Sequence, residues 1–291
     1  MYEIYKNGKK YVSKNSNYIH FNEFLIIFED VFKIKRLDLI LLKYYNNYLY
    51  IHPKKEIIKD FFCKLKRVIS GEPVQYITGH WKFYNINIQV GPGVFIPRDD
   101  TEILVRTCIK YLNNNSEIID LCAGSGTIGL SLKKYFGFNF FVELVESYKP
   151  AFNFLLKNIS QNFGDYNKKI KATNQNIFKL HKKTQNLKFD AIISNPPYIP
   201  SSELKFLSYQ VKQEPKNALN GGVNGLYFYE NITKKWRSKL KLGGFMAFEV
   251  GINQSELVAN IMRKLNFNNI IIKKDINNIE RVVLGFKNVE I

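Results

Sequence analysis

The sequence has few cysteines and histidines, which narrows the kinds of site that it can build. Its 291 residues contain three cysteines and four histidines, and no two cysteines stand at CxxC spacing. A disulfide framework and a structural zinc site both need denser and more regular ligands, so neither is expected. The sequence therefore predicts a protein without a bound metal that works in a reducing compartment.

Long hydrophobic runs are also missing. No run reaches the roughly 18 apolar residues that a transmembrane helix needs. The N-terminal segment MYEIYKNGKKYVSKNSNY lacks the apolar centre of a signal peptide and the arginines of a transit peptide. We therefore expect a cytoplasmic protein with no membrane partner. We also expect the protein to be a monomer.

Acidic residues are scarce relative to basic ones. Lys and Arg number 43 against 25 Asp and Glu, which gives a formal net charge of +18. A basic surface suits a polyanionic partner such as RNA or the ribosome. The abundance of Lys, Asn, Ile, Phe and Tyr would also follow from an A/T-biased genome. Because the excess is +6 in residues 1–75 and +12 in the remainder, compositional bias is favoured over a single binding surface.

Apolar residues are plentiful, and their spacing predicts a helical N-terminal domain. Hydrophobic residues make up 45% of the sequence, which excludes intrinsic disorder and permits a large core. Residues 1–70 carry apolar side chains at helical spacing in FNEFLIIFEDVF, LDLILLKYY and KKEIIKDFFCKLKRVI. The last of these segments places four residues on one face: Ile57, Phe61, Leu65 and Ile69. This domain either has a purely structural role or docks a partner.

The rest of the chain has a different pattern. Gly and Pro residues between short alternating runs predict a β-hairpin connector over residues 71–98. In residues 99–291, helices alternate with seven strand-like runs: IIDLCA, NFFVELV, KIKAT, FDAIISN, GGFMAFEV, NNIIIKK and RVVLGF. This alternation predicts an α/β domain with a mostly parallel sheet covered on both faces. Ligands of such sheets bind at the carboxyl ends of the strands.

A glycine-rich turn follows the first of these strands. Gly124, Gly126 and Gly129 form a GxGxxG pattern between a strand and a helix. We expect them, in that order, to permit the tight turn, to admit the ligand and to allow close helix packing. Glu146 ends the next strand, 20 residues after Gly126. Because a carboxylate there can accept hydrogen bonds from both ribose hydroxyls, the sequence predicts a site for an adenosine-containing cofactor.

The tetrapeptide Asn195-Pro196-Pro197-Tyr198 directly follows a buried strand. Its two prolines stiffen the backbone and remove two N–H donors. A planar amide or amine can donate one hydrogen to the Asn195 side chain and one to the Pro196 carbonyl, while Tyr198 packs on its face. Such hydrogen bonds strengthen as the nitrogen pyramidalises, which favours attack on a methyl sulfonium group. We therefore predict methyl transfer, with Asn195, Pro196 and Tyr198 as the catalytic residues.

These motifs resemble those of one known family over nearly the whole chain. They occur in the family's order: GEPVQYITG (71–79), GVFIPRDDTE (93–102), DLCAGSG (120–126), Glu146, the Asn-Pro-Pro-Tyr motif, Glu214-Pro215 with Ala218-Leu219, and FEVGINQ (248–254). Together they resemble the S-adenosylmethionine-dependent N(5)-glutamine methyltransferases of the HemK type, which modify peptide chain release factors. The resemblance implies a Rossmann-like class I methyltransferase domain, preceded by a helical domain that contributes to release-factor docking.

The resemblance also implies a role for each motif. Residues Cys122, Ala123, Gly124, Ser125 and Gly126 would wrap the methionine part of S-adenosyl-L-methionine. Glu146 would hold its ribose, and Ile177 would lie against its adenine. Asn195, Pro196, Pro197 and Tyr198 would hold the glutamine of the GGQ motif, with Asn195 also beside the cofactor. The expected activity is methylation of that glutamine, which tunes translation termination.

Three positions depart from the pattern of this family. Asp99 stands where proline is usual, which should make its turn less rigid. Asn176 stands where aspartate is usual, which should weaken or change a contact with the adenine amino group. Cys122-Ala123 replace Gly-Thr, and we expect Cys122 to be a small buried residue rather than a reactive thiolate.

Two other substrates are compatible with the same motifs. One is a glutamine of a ribosomal protein, and the other is an amino group of adenine or guanine in DNA or RNA, reached by base flipping. The net charge favours nucleic acid slightly, but the chain lacks a large basic and aromatic recognition domain. A nicotinamide oxidoreductase would share the glycine pattern and would have no use for the Asn-Pro-Pro-Tyr motif.

Overall fold

A computed structural model describes residues 1–15, 21–35, 38, 53–164, 168–183 and 188–288. The chain divides into two units. The first combines Met1–Gly79 with Ser208–Gln213, and the second combines His80–Leu207 with Glu214–Ile291. Within the described ranges, no helix has both the length and the apolar character needed to cross a bilayer.

The first unit is helical. Its described helices are α1 (Tyr2–Asn15), α2 (Phe21–Phe32), α3 (Lys55–Ile69) and α4 (Val74–Thr78). The rings of Phe24, Phe28 and Phe61 are buried at its centre, and Phe61 meets both others edge to face. The helices predicted from FNEFLIIFEDVF and KKEIIKDFFCKLKRVI are confirmed, while LDLILLKYY lies outside the described residues apart from Asp38.

Two details of the prediction for this region are wrong. Of the four α3 residues predicted to share one face, Phe61 and Leu65 are buried, but Ile57 is 38% exposed. Near the end of the helix, Val68 is buried, whereas Ile69 is only half-buried. The segment Val74–Thr78, expected within a strand-rich connector, is one short helix. Pro73 precedes its first turn and Gly79, at a φ of 76°, ends it, so these residues mark a helix as readily as a hairpin.

The second unit begins with a hairpin and contains a seven-stranded sheet. The antiparallel hairpin pairs β1 (His80–Phe83) with β2 (Ile86–Gln89). The sheet comprises β3 (Glu117–Leu121), β4 (Phe141–Val145), β5 (Ile170–Thr173), β6 (Phe189–Ser194), β7 (Leu240–Glu249), β8 (Phe267–Lys274) and β9 (Glu280–Lys287). Its order is β5-β4-β3-β6-β7-β9-β8, and β9 runs antiparallel to both of its neighbours. The predicted, mostly parallel sheet is confirmed.

Helices cover both faces of this sheet. In chain order they are α5 (Glu102–Ile109), α6 (Thr127–Phe136), α7 (Lys149–Phe163), α8 (Ile177–Lys183), the short α9 (Lys216–Leu219), α10 (Tyr227–Trp236) and α11 (Ser255–Lys264). The hairpin, α5, α6 and α7 share one apolar core, and α8, α10 and α11 share the other. Because both faces are covered, central strands read as continuous apolar runs.

The order of the strands creates the place for a ligand. β3 pairs with β4 on one side and with β6 on the other. The chain therefore leaves β3 in one direction and returns later on its opposite side, which opens a crevice at the carboxyl ends of these strands. The glycine-rich turn follows β3, Glu146 follows β4 and Asn195 follows β6.

Candidate active site at the carboxyl ends of the strands

A cleft of about 350 Å³ lies at the carboxyl ends of β3, β4 and β6. Ten of the predicted site residues line it: Cys122, Ala123, Gly124, Ser125, Glu146, Ile177, Asn195, Pro196, Pro197 and Tyr198. Gly126 was also predicted for the site, but it is not part of the wall. The two halves of the site, which the sequence suggested separately, therefore share one cleft.

In the glycine-rich turn, Gly124 is the glycine whose bare backbone borders the cleft. Its φ is 57°, and a Cβ added there would meet no heavy atom within 4 Å. Gly126 has a φ of 88°, and a Cβ there would lie 2.5 Å from Cδ1 of Leu155 on α7. Gly126 thus permits close packing beneath the turn, whereas the sequence suggested that it would admit the ligand.

Glu146 lies beside this turn, with 8% of its surface exposed. Its Oε2 accepts a hydrogen bond from the Gly124 N–H at 2.9 Å, and its Oε1 accepts one from the Tyr148 N–H at 2.7 Å. A carboxylate can accept about four hydrogen bonds, so capacity for a further donor remains beside the backbone donors Gly124, Tyr148 and Ser147. Burial raises the pKa of this carboxyl group, and the backbone hydrogen bonds oppose the shift. The carboxylate is therefore fixed in orientation and can still accept hydroxyl donors.

Asp120 braces the turn from below. It is fully buried at the end of β3, and its Oδ2 accepts a hydrogen bond from the Gly129 N–H at 2.9 Å. Burial raises the pKa of Asp120 to about 7. Gly129 itself lies so close to β4 that a Cβ would be 2.5 Å from Cδ2 of Leu144. Asp120 is outside the cleft wall, and its contact fixes the first turn of α6 against the sheet.

The turn Asn195–Tyr198 is held in place from two sides. The Ile199 N–H donates to the Leu219 carbonyl at 2.9 Å, which attaches the end of the turn to the last residue of α9. Nε2 of Gln254 donates to the carbonyl of Tyr198 at 2.9 Å. Pro196 and Pro197 contribute no N–H to these contacts. The turn is therefore rigid, and its side chains keep their places in the cleft wall.

Two ionisable side chains in the wall stay neutral. Burial raises the pKa of the Tyr198 phenol, and the nearby Glu249 carboxyl raises it further. Burial likewise raises the pKa of the Cys122 thiol, so this cysteine is not a thiolate nucleophile. Cys122 has a φ of 62°, a left-handed conformation that glycine adopts more readily. The usual glycine at this position of the family pattern is consistent with that conformation.

Several wall residues were not identified as site residues from the sequence. They include an aromatic group, Phe95, Phe178, Tyr227 and Phe228, together with Thr101. Phe178 meets Tyr227 edge to face, with ring centroids 5.6 Å apart. Phe95 and Thr101 lie inside GVFIPRDDTE, so the family pattern marked them without giving them a role. Phe178 directly follows Ile177, which the resemblance placed beside the adenine, whereas Tyr227 and Phe228 of α10 belong to no motif and only the fold brings them to the cleft.

Asn176 borders the cleft at the start of α8. Its Oδ1 accepts a hydrogen bond from the Phe178 N–H at 2.8 Å and so caps the helix. The amide nitrogen is then the group that this side chain offers to the cleft, and an amide nitrogen only donates. The aspartate that is usual here could cap the helix with one oxygen and accept a second hydrogen bond with the other.

The fold and the site define a class I methyltransferase. A model of the family "Methyltransferase small domain" matches residues 85–222. A solved methyltransferase from Pyrococcus furiosus superposes with a TM-score of 0.54 at 19% sequence identity. That alignment covers 71% of this chain and 91% of the other, and it shows the fold.

Two curated relatives identify the family within this class. The release factor glutamine methyltransferase of Fusobacterium nucleatum is 34% identical over 98% of this chain and 78% of its own length. The protein of the same name from Clostridium acetobutylicum is 36% identical over 79% of this chain and 80% of its own. The chain therefore belongs to the release factor glutamine methyltransferase family. It is an enzyme, and its methyl donor is S-adenosyl-L-methionine.

The cleft fits this methyl donor. Gly124 leaves open space beside its backbone, and the lone pairs of Glu146 match the hydroxyls of a ribose. Ile177 and Phe178 offer apolar surface for a purine ring. Among the described residues, no group of three or more His, Cys, Asp or Glu side chains is arranged to hold a metal ion.

Proposed function

We propose that this enzyme methylates the side-chain amide nitrogen of a glutamine in peptide chain release factors, in their GGQ motif. The observation that carries the proposal is the rigid Asn195–Tyr198 turn in the same cleft as the glycine turn and Glu146. Both curated relatives described above bear the name release factor glutamine methyltransferase.

The cofactor half of the site consists of the residues that follow β3 and β4. S-adenosyl-L-methionine, when bound, supplies an electrophilic methyl group. In this proposal the turn Cys122–Gly126 wraps its methionine part, with Gly126 supporting the turn from beneath. Glu146 accepts hydrogen bonds from its ribose hydroxyls, and Ile177 packs on its adenine. Asn195 borders both the cofactor and the substrate.

The substrate half holds the amide. The glutamine –NH2 group donates one hydrogen bond to Oδ1 of Asn195 and one to the carbonyl of Pro196. Pro197 keeps the turn rigid, and the neutral ring of Tyr198 packs on the amide plane. Because the nitrogen lone pair is delocalised, the amide is a weak nucleophile until it pyramidalises. Acceptors placed to favour that geometry bind the transition state more tightly than the ground state.

Positioning of the two reactants lowers the activation barrier further. Holding a nucleophile in line with a methyl group replaces an encounter between two molecules by a step within one complex. Such effects contribute up to roughly 7–11 kcal/mol of the barrier. A rigid turn opposite a rigid glycine loop is suited to this task, because neither wall has to reorganise during the reaction.

Three further statements belong to the proposal. The first unit docks the release factor. The enzyme is a monomer in the cytoplasm, and its basic surface is available for contact with the ribosome or RNA. The charge of +18 then needs no nucleic-acid substrate to explain it.

A methyl-transfer assay with labelled cofactor tests the proposed substrate. A release factor, a ribosomal protein, RNA and DNA are offered in parallel to the purified enzyme. We expect label on the release factor, and none on a release factor whose GGQ glutamine is replaced by alanine. Label on nucleic acid alone, or on the ribosomal protein alone, would overturn the proposal.

A further inference from the structure

Glu249 is a buried acid at the end of β7, beside the catalytic turn and outside the cleft wall. Only 2% of its surface is exposed. Burial raises the pKa of its carboxyl group to about 7, and hydrogen bonds from the side chains of Thr101 and Asn195 oppose the shift. Its Oε2 has no hydrogen-bond partner in the described part of the chain. Burying such a group costs free energy, which calls for a compensating role.

An ion pair does not account for Glu249. The nearby Arg281 also opposes the rise in the pKa of Glu249. This guanidinium is already engaged, by Asp100 at 3.1 Å and by Asp275 at 3.0 Å. Among the described side chains, no salt bridge joins Arg281 to Glu249. The uncharged side chains that stabilise the Glu249 carboxylate are therefore those of Thr101 and Asn195, which both line the cleft and lie 3.5 Å apart, Nδ2 to Oγ1.

The orientation of the Asn195 side chain decides whether the proposed site works. An asparagine amide presents an oxygen at one end and an NH2 group at the other, and the two ends have nearly the same shape. Only the oxygen can accept a hydrogen bond from a substrate –NH2 group. With the amide turned over, two NH2 groups would face each other across the cleft.

The groups behind Asn195 select one of these orientations. Nδ2 of Asn195 donates to Oγ1 of Thr101 at 3.5 Å, a long contact that is weak by itself. In its ionised form Glu249 is an acceptor only, and a hydrogen bond from an amide to a charged acceptor is roughly twice as strong as a neutral one. With a pKa of about 7, the ionised form predominates above neutral pH, and the preference for this orientation is strongest there. In the opposite orientation, Oδ1 would face this carboxylate and the two acceptors would repel each other.

We propose that Glu249, assisted by Thr101, is a positioning residue that orients the Asn195 amide so that its oxygen faces the substrate. This inference rests on the proposed function, because it concerns the acceptor that the glutamine amide needs. It assigns a role to Thr101 of the GVFIPRDDTE segment and to Glu249 of the FEVGINQ segment. Neither side chain forms or breaks a bond in the reaction.

The test compares two substitutions that differ in their hydrogen-bonding capacity. Glu249→Gln keeps a carbonyl oxygen that can accept from Asn195, while Glu249→Leu has similar volume and no acceptor. Misplacing a reacting group by about 1 Å can cost 10²-fold in rate. We expect Glu249→Leu to lower kcat by about 10- to 100-fold, with KM for the release factor and cofactor affinity within about 3-fold. Glu249→Gln should keep kcat within about 5-fold.

Glu143 provides a matched control on β4. It is also fully buried, it accepts from a threonine, Thr173, at 2.8 Å, and it lies outside the cleft wall. Unlike Glu249, it also forms an ion pair, with Lys171 at 3.0 Å. Glu143→Leu should therefore leave kcat within about 3-fold while removing a comparable buried carboxylate. A loss of kcat in Glu143→Leu as large as in Glu249→Leu would overturn the proposal, since any buried acid would then produce the effect.

Further comparisons test the positioning role. Equal kcat in Glu249→Leu and the wild type, or equal loss in Glu249→Gln and Glu249→Leu, would contradict the positioning role. If Glu249→Leu does not fold, Thr101→Val is compared with Thr101→Ser, and we expect a lower kcat for valine alone.

The side-chain amide signal of Asn195 in a ¹H–¹⁵N spectrum should shift in Glu249→Leu without any substrate, and an unchanged signal would overturn the inference. A wild-type enzyme that does not methylate release factors would instead refute the proposed function.

Discussion

At the scale of single residues, the proposed function assigns substrate binding and ribose binding to side chains that follow different strands. Asn195 follows β6, whereas Glu146 follows β4 and is tied to the glycine turn by the Gly124 N–H. A change at Asn195 therefore leaves the contacts of Glu146 intact. This separation predicts that the two functions can be lost independently.

Substitution of Asn195 by alanine tests that separation. The variant loses the side-chain acceptor for the glutamine amide, and removing one such polar group typically costs about 10²–10³ in kcat. We expect methyl transfer to fall by at least about 10²-fold, with the Kd of the cofactor within a few-fold of the wild type. Asn231→Ala, on α10 and outside the cleft wall, is the control. Turnover within a few-fold of the wild type would rule out the role of Asn195.

Asn176→Asp tests the departure at the start of α8. Aspartate caps a helix about as well as asparagine, so the helix should be unaffected. Its second oxygen can accept from the adenine amino group, and a hydrogen bond to a charged acceptor contributes roughly 1.5 kcal/mol or more. We expect the Kd of S-adenosyl-L-methionine, measured by calorimetry, to fall by about 10-fold or more, since 1.4 kcal/mol corresponds to a factor of about ten. An unchanged or weaker affinity would show that this position does not contact the adenine amino group.

At the scale of elements, the strands and helices of the second unit were predictable because each repeats a simple pattern. β3 and β6 are continuous apolar runs, since both faces of the sheet are covered. The role of Gly126 was not predictable, because it depends on Leu155, which only the fold brings beneath the turn. The aromatic wall residues Tyr227 and Phe228 were missed for the same reason. Local patterns therefore gave the elements, and contacts between distant segments determined the details of the cleft.

The short 3₁₀ turn Asp99–Thr101, ahead of α5, yields a prediction about stability. Arg98 has φ −105° and ψ 147°, the extended conformation that a following proline favours. The first residue of a helical turn has no intrahelical partner for its N–H, so proline is tolerated there. We expect Asp99→Pro to raise the free energy of unfolding by about 0.4–1 kcal/mol through a less flexible unfolded chain.

Urea unfolding of the full chain measures this effect. Asp99→Ala is the matched control, because it removes the same charge without fixing φ. A proline variant less stable than the alanine variant would show that the backbone at residue 99 does not fit proline.

At the scale of the whole molecule, the cleft lies entirely within one unit. All of its wall residues belong to the second unit, and the first unit contributes none. In the sequence, Ser208–Gln213 lies between the two parts of the second unit, but the segment belongs to the first unit. Within the first unit, Tyr209 packs where a Cβ on Gly71 would stand, and Gln210 donates to Glu23 at 2.9 Å. This excursion was not predictable from the sequence, because its contacts join residues far apart in the chain.

Deleting residues 1–70 tests the docking role of the first unit. Because the cleft wall is retained, we expect the Kd of the cofactor to stay within a few-fold of the full-length value. The kcat/KM for a release factor should fall by more than about 10-fold. Calorimetry and steady-state methylation measure the two quantities, and thermal unfolding checks that the remaining chain is folded. Equal loss of both would assign these residues a structural role alone.

The central claim is that the nitrogen methylated by this cleft is the side-chain amide of one release-factor glutamine. Peptide mass spectrometry of a release factor, after incubation with the enzyme and S-adenosyl-L-methionine, tests it most directly. We predict the added mass of one methyl group on the glutamine of the GGQ motif with the wild-type enzyme, and no addition with Asn195→Ala. A methyl group on any other residue, or equal methylation by Asn195→Ala, would contradict the account.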